Sequence, residues 1–100
     1  MKKRFLKSKP VCKVTFELPS QAANGAVNVM LVGDFNGWDP TATPLKRLKD
    51  GTYSIMLDLP RDREYQFRYL VDGERWENDW AADKYAPNPA GDCENSVVVT

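Results

Sequence analysis

Three tryptophans stand in polar, turn-forming sequence. Trp38 closes Gly33-Asp34-Phe35-Asn36-Gly37-Trp38, Trp76 follows Asp72-Gly73, and Trp80 ends Asn78-Asp79-Trp80. One loop tryptophan ordinarily covers the edge of a core, because large aromatics are mostly buried. Three in the polar loops of a 100-residue chain point to an exposed recognition surface. The chemistry such a surface offers is stacking. The flat side of a glucose ring presents C–H groups to the electron-rich face of an indole, and its edge hydroxyls stay free for hydrogen bonds. Arg68 and Asn95 are candidate partners for those hydroxyls. Each also has an ordinary role open to it: Arg68 in an ion pair with Glu64 or Glu77, Asn95 in capping a turn.

Other chemistry has fewer means. The chain has no histidine, which removes the commonest general base, metal ligand and activator of serine or cysteine. Cys12 and Cys93 make neither a zinc site nor a redox motif. They could pair if the first and last strands lay together, but the expectation is two reduced, buried thiols. With fourteen carboxylates some close pair is inevitable, so pairing does not single out a glycosidase. A domain this small offers no deep cleft in which to raise an acid's pKa. The chain reads as non-catalytic, with no cofactor and no metal.

The elements that must position these residues follow a period of two. Val14, Phe16 and Leu18 alternate with Lys13, Thr15 and Glu17. Val27 to Gly33 is an apolar strand, Leu45 to Leu48 a short one, and Lys49-Asp50-Gly51 a hairpin signal leading into Tyr53, Ile55, Leu57 and Leu59. Tyr65, Phe67, Tyr69 and Val71 then point inward, with Gln66, Arg68 and Leu70 outward. Asp72-Gly73 turns into Arg75-Trp76-Glu77, and Ser96 to Val99 closes the domain. Pro19 to Gly25 reads as a polar loop, and Asp79 to Tyr85 as at most one helical turn. About seven short strands predict an all-β, antiparallel β-sandwich with Phe16, Leu31, Ile55, Leu57, Phe67, Tyr69 and Val97 in its core.

Charge is unevenly placed. Residues 1–13 hold six basic side chains and no acid, leaving eight basic against fourteen acidic residues elsewhere. Residues 1–11 read as a flexible basic arm before one domain over residues 12–100. A basic arm on an acidic body is not the footprint of a nucleic-acid binder. No apolar run is long enough to span a bilayer. Met1-Lys2-Lys3-Arg4 looks like the start of a signal peptide, but Lys7, Lys9 and Lys13 interrupt the apolar stretch that should follow. The expected location is the cytoplasm.

Three segments carry a resemblance. Asn28 to Trp38 resembles the G-x-F-N-x-W signature of carbohydrate-binding module family 48. Tyr65 to Trp76 resembles that family's Y-x-[FY]-[KR]-[FY]-x-[VI]-D-G-x-W strand and turn, and Asn88 to Val99 its closing segment. The likeness runs in order and spacing over residues 12–100. The family includes early-set domains of glycogen branching and debranching enzymes and the glycogen-binding domain of AMP-activated protein kinase β subunits. The resemblance implies an immunoglobulin-like sandwich of the early set that binds α-1,4-linked glucans. It matches Trp38 and Trp76 to stacking tryptophans, and Arg68 to a basic residue that reaches sugar hydroxyls, which is lysine in the kinase subunits. It matches Asn95 to a closing asparagine, with Glu94 as the substitute under a second alignment. Three departures stand out. One extra residue separates the Asp72-Gly73 turn from Trp76, and Pro89-Ala90 stand where kinase-type domains place a leucine that threads ring-shaped glucans. Trp80, without a counterpart in that subgroup, is either a third platform or a plug in its loop.

The leading expectation is therefore a free-standing, non-catalytic module for glycogen, starch or maltooligosaccharides, with no nucleic-acid or membrane partner. The alternative is an interaction or scaffold domain that docks a glycogen-metabolising enzyme or kinase in trans.

Overall fold

In the computed structural model, which describes residues 1–88 and 93–100, the alternating segments pair into two antiparallel sheets. The first has the order β1 (Lys2–Phe5), β2 (Val11–Leu18), β5 (Tyr53–Pro60), β4 (Lys46–Arg47). The second has the order β3 (Val29–Gly33), β6 (Glu64–Val71), β9 (Glu94–Val99), β8 (Lys84–Pro87). A further strand, β7 (Arg75–Glu77), pairs with β6 on the edge that β9 uses further along. The seven strands expected are joined by β1 and β8. The chain folds as an all-β sandwich.

The core lies where the inward side chains of β2, β3 and β6 meet. Phe16 and Phe67 are fully buried and meet edge to face with ring centroids 4.9 Å apart, and Tyr69 stands edge-on to Phe67 at 5.8 Å. Val14, Leu18, Leu31 and Val71 fill the spaces around them. Three positions depart from expectation. Ile55 and Leu57 are only partly buried, because β4 pairs with β5 only at Tyr53 and Ser54 and leaves the rest of that edge thinly covered. Val97 is buried, but opposite Gln66 on the outer side of its sheet; Val98, opposite Tyr65, joins the core instead. A single residue of register in β9 decides which valine faces inward.

The basic N-terminal segment also departs from the arm expected. Lys2–Phe5 pairs with β2 in the register Lys2↔Thr15 to Phe5↔Cys12. Lys2-Lys3-Arg4 has no apolar alternation to announce a strand; the open backbone groups along β2 supply the pairing. Lys3 also donates to Asp83 at 2.8 Å and to the Val99 carbonyl at 3.0 Å, tying this strand to the other sheet. The stretch read as a loop contains α1 (Ser20–Ala23), ended by Asn24 and Gly25 in left-handed conformation. No helical turn forms between Asp79 and Tyr85. Cys12 and Cys93 are free thiols, and only Cys12 is buried.

Candidate functional site

The outer face of the second sheet carries Trp38, Arg68, Trp76 and Asn95. Its floor is a small apolar patch of Met30, Val32 and Leu70, on which Trp38 packs. The loop after β3 delivers that tryptophan through a set of local bonds. Asn36 accepts from the Gly33 N–H at 3.1 Å and donates to the Leu31 carbonyl and the Thr43 hydroxyl at 2.9 and 3.0 Å. Gly37 and Trp38 then both adopt positive φ, at 67° and 58°. Glycine accepts that conformation freely, whereas a large residue holds it only under constraint. The constraint on the ring is visible: the Trp38 indole N–H donates to Asp34 at 2.8 Å. Asp34's other oxygen accepts from the Gln66 backbone N–H at 2.7 Å. One carboxylate thus fixes the indole against β6.

Trp76 reaches the same face from β7. The register sets it opposite Leu70, and the residue beyond the D-G-x-W spacing is absorbed in the turn between Val71 and Arg75, which remain paired. The turn is held by Asp72, whose carboxylate accepts from the Val27 and Asn28 N–H groups at 2.8 and 2.9 Å. Trp76 is 41% exposed. The Arg68 guanidinium lies over its ring, 5.5 Å from the centroid, a cation–π contact that orders both side chains.

Arg68 has neither of the carboxylate partners considered for it. Glu64 pairs with Lys84 at 2.8 Å and Glu77 pairs with Arg75. Besides Trp76, Arg68 donates through Nη1 to the Cys93 sulfur at 3.7 Å, and its buried Nε has no hydrogen-bond partner among the described residues. Its positive charge is therefore balanced by no ion pair among the described residues. Trp38, Arg68, Trp76 and Asn88 line a hollow of about 220 Å³. A cleft of about 400 Å³ shares Trp38 and Asn88 with it and adds Asp34, Gln66 and Asn95.

The remaining expected site residues are placed differently. Asn95 sits on this face but is 2% exposed. Its amide donates to the Gln66 side chain at 3.0 Å and accepts from Asn88 at 3.1 Å. Glu94, one residue earlier in β9, falls on the opposite side of the sheet by strand alternation. Trp80 is on the flank rather than the face, in a separate cleft with Glu17, Pro19 and Thr52. The Pro89-Ala90 position lies outside the described residues. Asp34, Gln66 and Asn88 are additions to the expected set. Gln66 was open to discovery, because it alternates outward with Arg68; nothing in the sequence singled out Asp34 or Asn88.

A larger cleft of about 490 Å³, lined by Ser20, Ala26, Arg47 and Tyr53 among others, lies elsewhere. Its one aromatic residue, Tyr53, is 4% exposed, so it offers no open ring face. Among the described residues no cluster of potential metal ligands occurs and no helix is long and apolar enough to cross a membrane.

The family described as Carbohydrate-binding module 48 (Isoamylase N-terminal domain) matches residues 12–86, from β2 into β8. That span contains Trp38, Arg68, Trp76 and Trp80 and stops short of Glu94 and Asn95. No curated protein matches the chain.

Proposed function

The chain belongs to the carbohydrate-binding module 48 family, and from that premise we propose that it binds α-1,4-linked glucans, without catalysis, on the outer face of its second sheet. Glycogen, starch and maltooligosaccharides share the ligand chemistry. The observation that carries this reading is the convergence of Trp38 and Trp76 on one hollow with Arg68. Two indoles on one sheet face can stack against successive glucose rings, and a cation with no carboxylate partner among the described residues can donate to their hydroxyls. Gln66 shares the adjoining cleft and is the second hydroxyl contact in this reading. Asn95 acts from beneath, because its amide is engaged with Gln66 and Asn88. Its part is to hold Gln66 in place.

Positive φ at Trp38 adds support. Backbone strain of this kind costs on the order of 1–3 kcal/mol and persists where the surroundings impose it, often at ligand sites. A cytoplasmic setting accords with two unbridged thiols.

Calorimetric titration with maltoheptaose, against cellohexaose as control, tests the reading. The parent is expected to bind maltoheptaose selectively. Trp38→Ala and Trp76→Ala are each expected to weaken binding about tenfold or more, since a central aromatic anchor contributes about 2 kcal/mol and ~1.4 kcal/mol is one decade. Raising the salt concentration leaves the affinity nearly unchanged, because the ligand is neutral. Folded variants that bind like the parent would overturn this assignment and favour a scaffold domain that docks an enzyme or kinase in trans.

A further inference from the structure

Trp80 is the most exposed of the large aromatics, at 59%, and belongs to neither apolar cluster. Its neighbour Asp79 is the opposite: 2% exposed and bonded through every polar group. The Asp79 N–H donates to the Ser96 hydroxyl at 2.8 Å, and its carbonyl accepts from the Tyr85 hydroxyl at 2.5 Å. One carboxylate oxygen accepts from the Tyr69 hydroxyl at 2.7 Å and the other from the Ala81 N–H at 2.8 Å. Asn78, just before, donates to the Glu94 carbonyl at 2.8 Å and accepts from the Ser96 N–H at 3.0 Å. A loose loop would let an indole fold back onto apolar surface. Here the backbone beneath Trp80 is pinned on both sides, so its ring is presented outward on a rigid base, with little ordering left to do on binding.

The surroundings of that ring are polar enough to read a sugar edge. A cleft of about 200 Å³ joins Trp80 and Ala81 to Glu17, Pro19 and Thr52 at the end of the first sheet. Glu17's nearest charged partner, the Met1 ammonium, is 3.9 Å away, beyond a hydrogen bond, which leaves a carboxylate able to accept from adjacent hydroxyls. The Tyr69 side chain that holds Asp79 points into the core, so Trp80 lies on the flank between the sheets and not on the face of Trp38 and Trp76. One glucan segment lying flat on that face does not also cover the flank.

We propose that Trp80, with Glu17 and Thr52, forms a second and separate contact for α-glucan, so that one small domain engages a branched polymer at two places. This rests on the reading of the ligand as an α-glucan. Two linked weak contacts raise retention on a polymer without changing affinity for a short oligosaccharide at either one.

The test follows the three indole N–H signals of the intact chain by NMR as maltoheptaose is added, with cellohexaose as control. All three are expected to shift with maltoheptaose, and the Trp80 signal to keep shifting in a Trp38→Ala, Trp76→Ala double variant. Trp80→Ala is expected to leave maltoheptaose binding by Trp38 and Trp76 intact and to weaken retention in a glycogen gel by about a hundredfold, the lower end of an avidity gain. If Trp38 and Trp76 respond and Trp80 stays still, the second contact is wrong and the main site stands. A shift of Trp80 alone supports this contact and removes the main site. Silence from all three overturns both, and an equal response of Trp80 to cellohexaose overturns the α-glucan assignment on the flank.

Discussion

Asp34 and Asp79 show how single carboxylates organise this domain. Asp34 accepts from the Trp38 indole and from the Gln66 backbone, joining that ring to the strand that carries Arg68. Asp34→Ala leaves both donors without their partner, which costs about 1–3 kcal/mol for a buried group and less where water can reach. The expected result is a modest loss of thermal stability with weaker maltoheptaose binding and a more mobile Trp38, read by NMR relaxation of its indole signal. Asp79 holds the Tyr69 hydroxyl. Burial first, and the Asp79 charge second, raise the Tyr69 hydroxyl well above its ordinary value of about 10. A raised folded-state pKa means the native state holds this proton more tightly than the unfolded chain. The stability it contributes is complete below about pH 10 and is lost as the pH climbs above that value. Tyr69→Phe should lower the melting temperature at neutral pH and flatten this part of the alkaline decline, measured by melts across a pH series.

At the scale of elements, parity and close approach do the positioning. Val71 pairs with Arg75 and Leu70 with Trp76, so the turn can change length while Trp76 keeps its face. Deletion of Glu74 leaves a two-residue Asp-Gly connection, a favoured hairpin turn, and should leave maltoheptaose affinity unchanged. A large loss on deletion would show that the three-residue turn itself orients the ring. Gly33, where β3 ends and the Trp38 loop begins, is constrained by space. Its backbone is extended, at φ −172°, which any residue adopts. A Cβ there would meet the Gln66 carbonyl at 2.6 Å and the Phe67 Cβ at 2.7 Å, neither of which yields easily. Gly33→Ala should therefore cost about 1–3 kcal/mol as overpacking, a fall in melting temperature of several degrees in calorimetry.

Across the whole molecule, the radius of gyration is 13.1 Å, close to the ~13 Å of a compact chain of this length. The two outer faces differ in character. On the second sheet an apolar floor carries Trp38, Trp76 and Arg68, whereas Lys2, Arg4 and Lys13 stand together beside Met56 on the first. The N-terminal strand is held by β2 and by the Lys3–Asp83 pair across to the other sheet. Both partners of that pair are about a quarter exposed, so solvent screens it. Lys3→Ala should cost less than about 1 kcal/mol in chemical denaturation, because backbone pairing rather than the ion pair holds β1.

The amino-acid sequence determined what depends on near neighbours. Period-two alternation announced β2, β5 and β6, the Asp72-Gly73 turn announced the hairpin, and outward placement of Arg68 followed from inward placement of Phe67 and Tyr69. The candidate platforms Trp38 and Trp76 were legible for the same reason, since each follows a recognisable turn. Tertiary structure decided what depends on distant ones. Val97 and Val98 are equivalent in an all-valine run, and only pairing with β6 turned one outward. Asn95 became an internal brace because Gln66 and Asn88 came to it, and Trp80 was separated from the other tryptophans because Asp79 is anchored to the core. Lys2–Phe5 became a strand because β2 offered an open edge. Alternation and turn chemistry are written into a few consecutive residues, whereas register, edge pairing and burial belong to strands far apart in the chain.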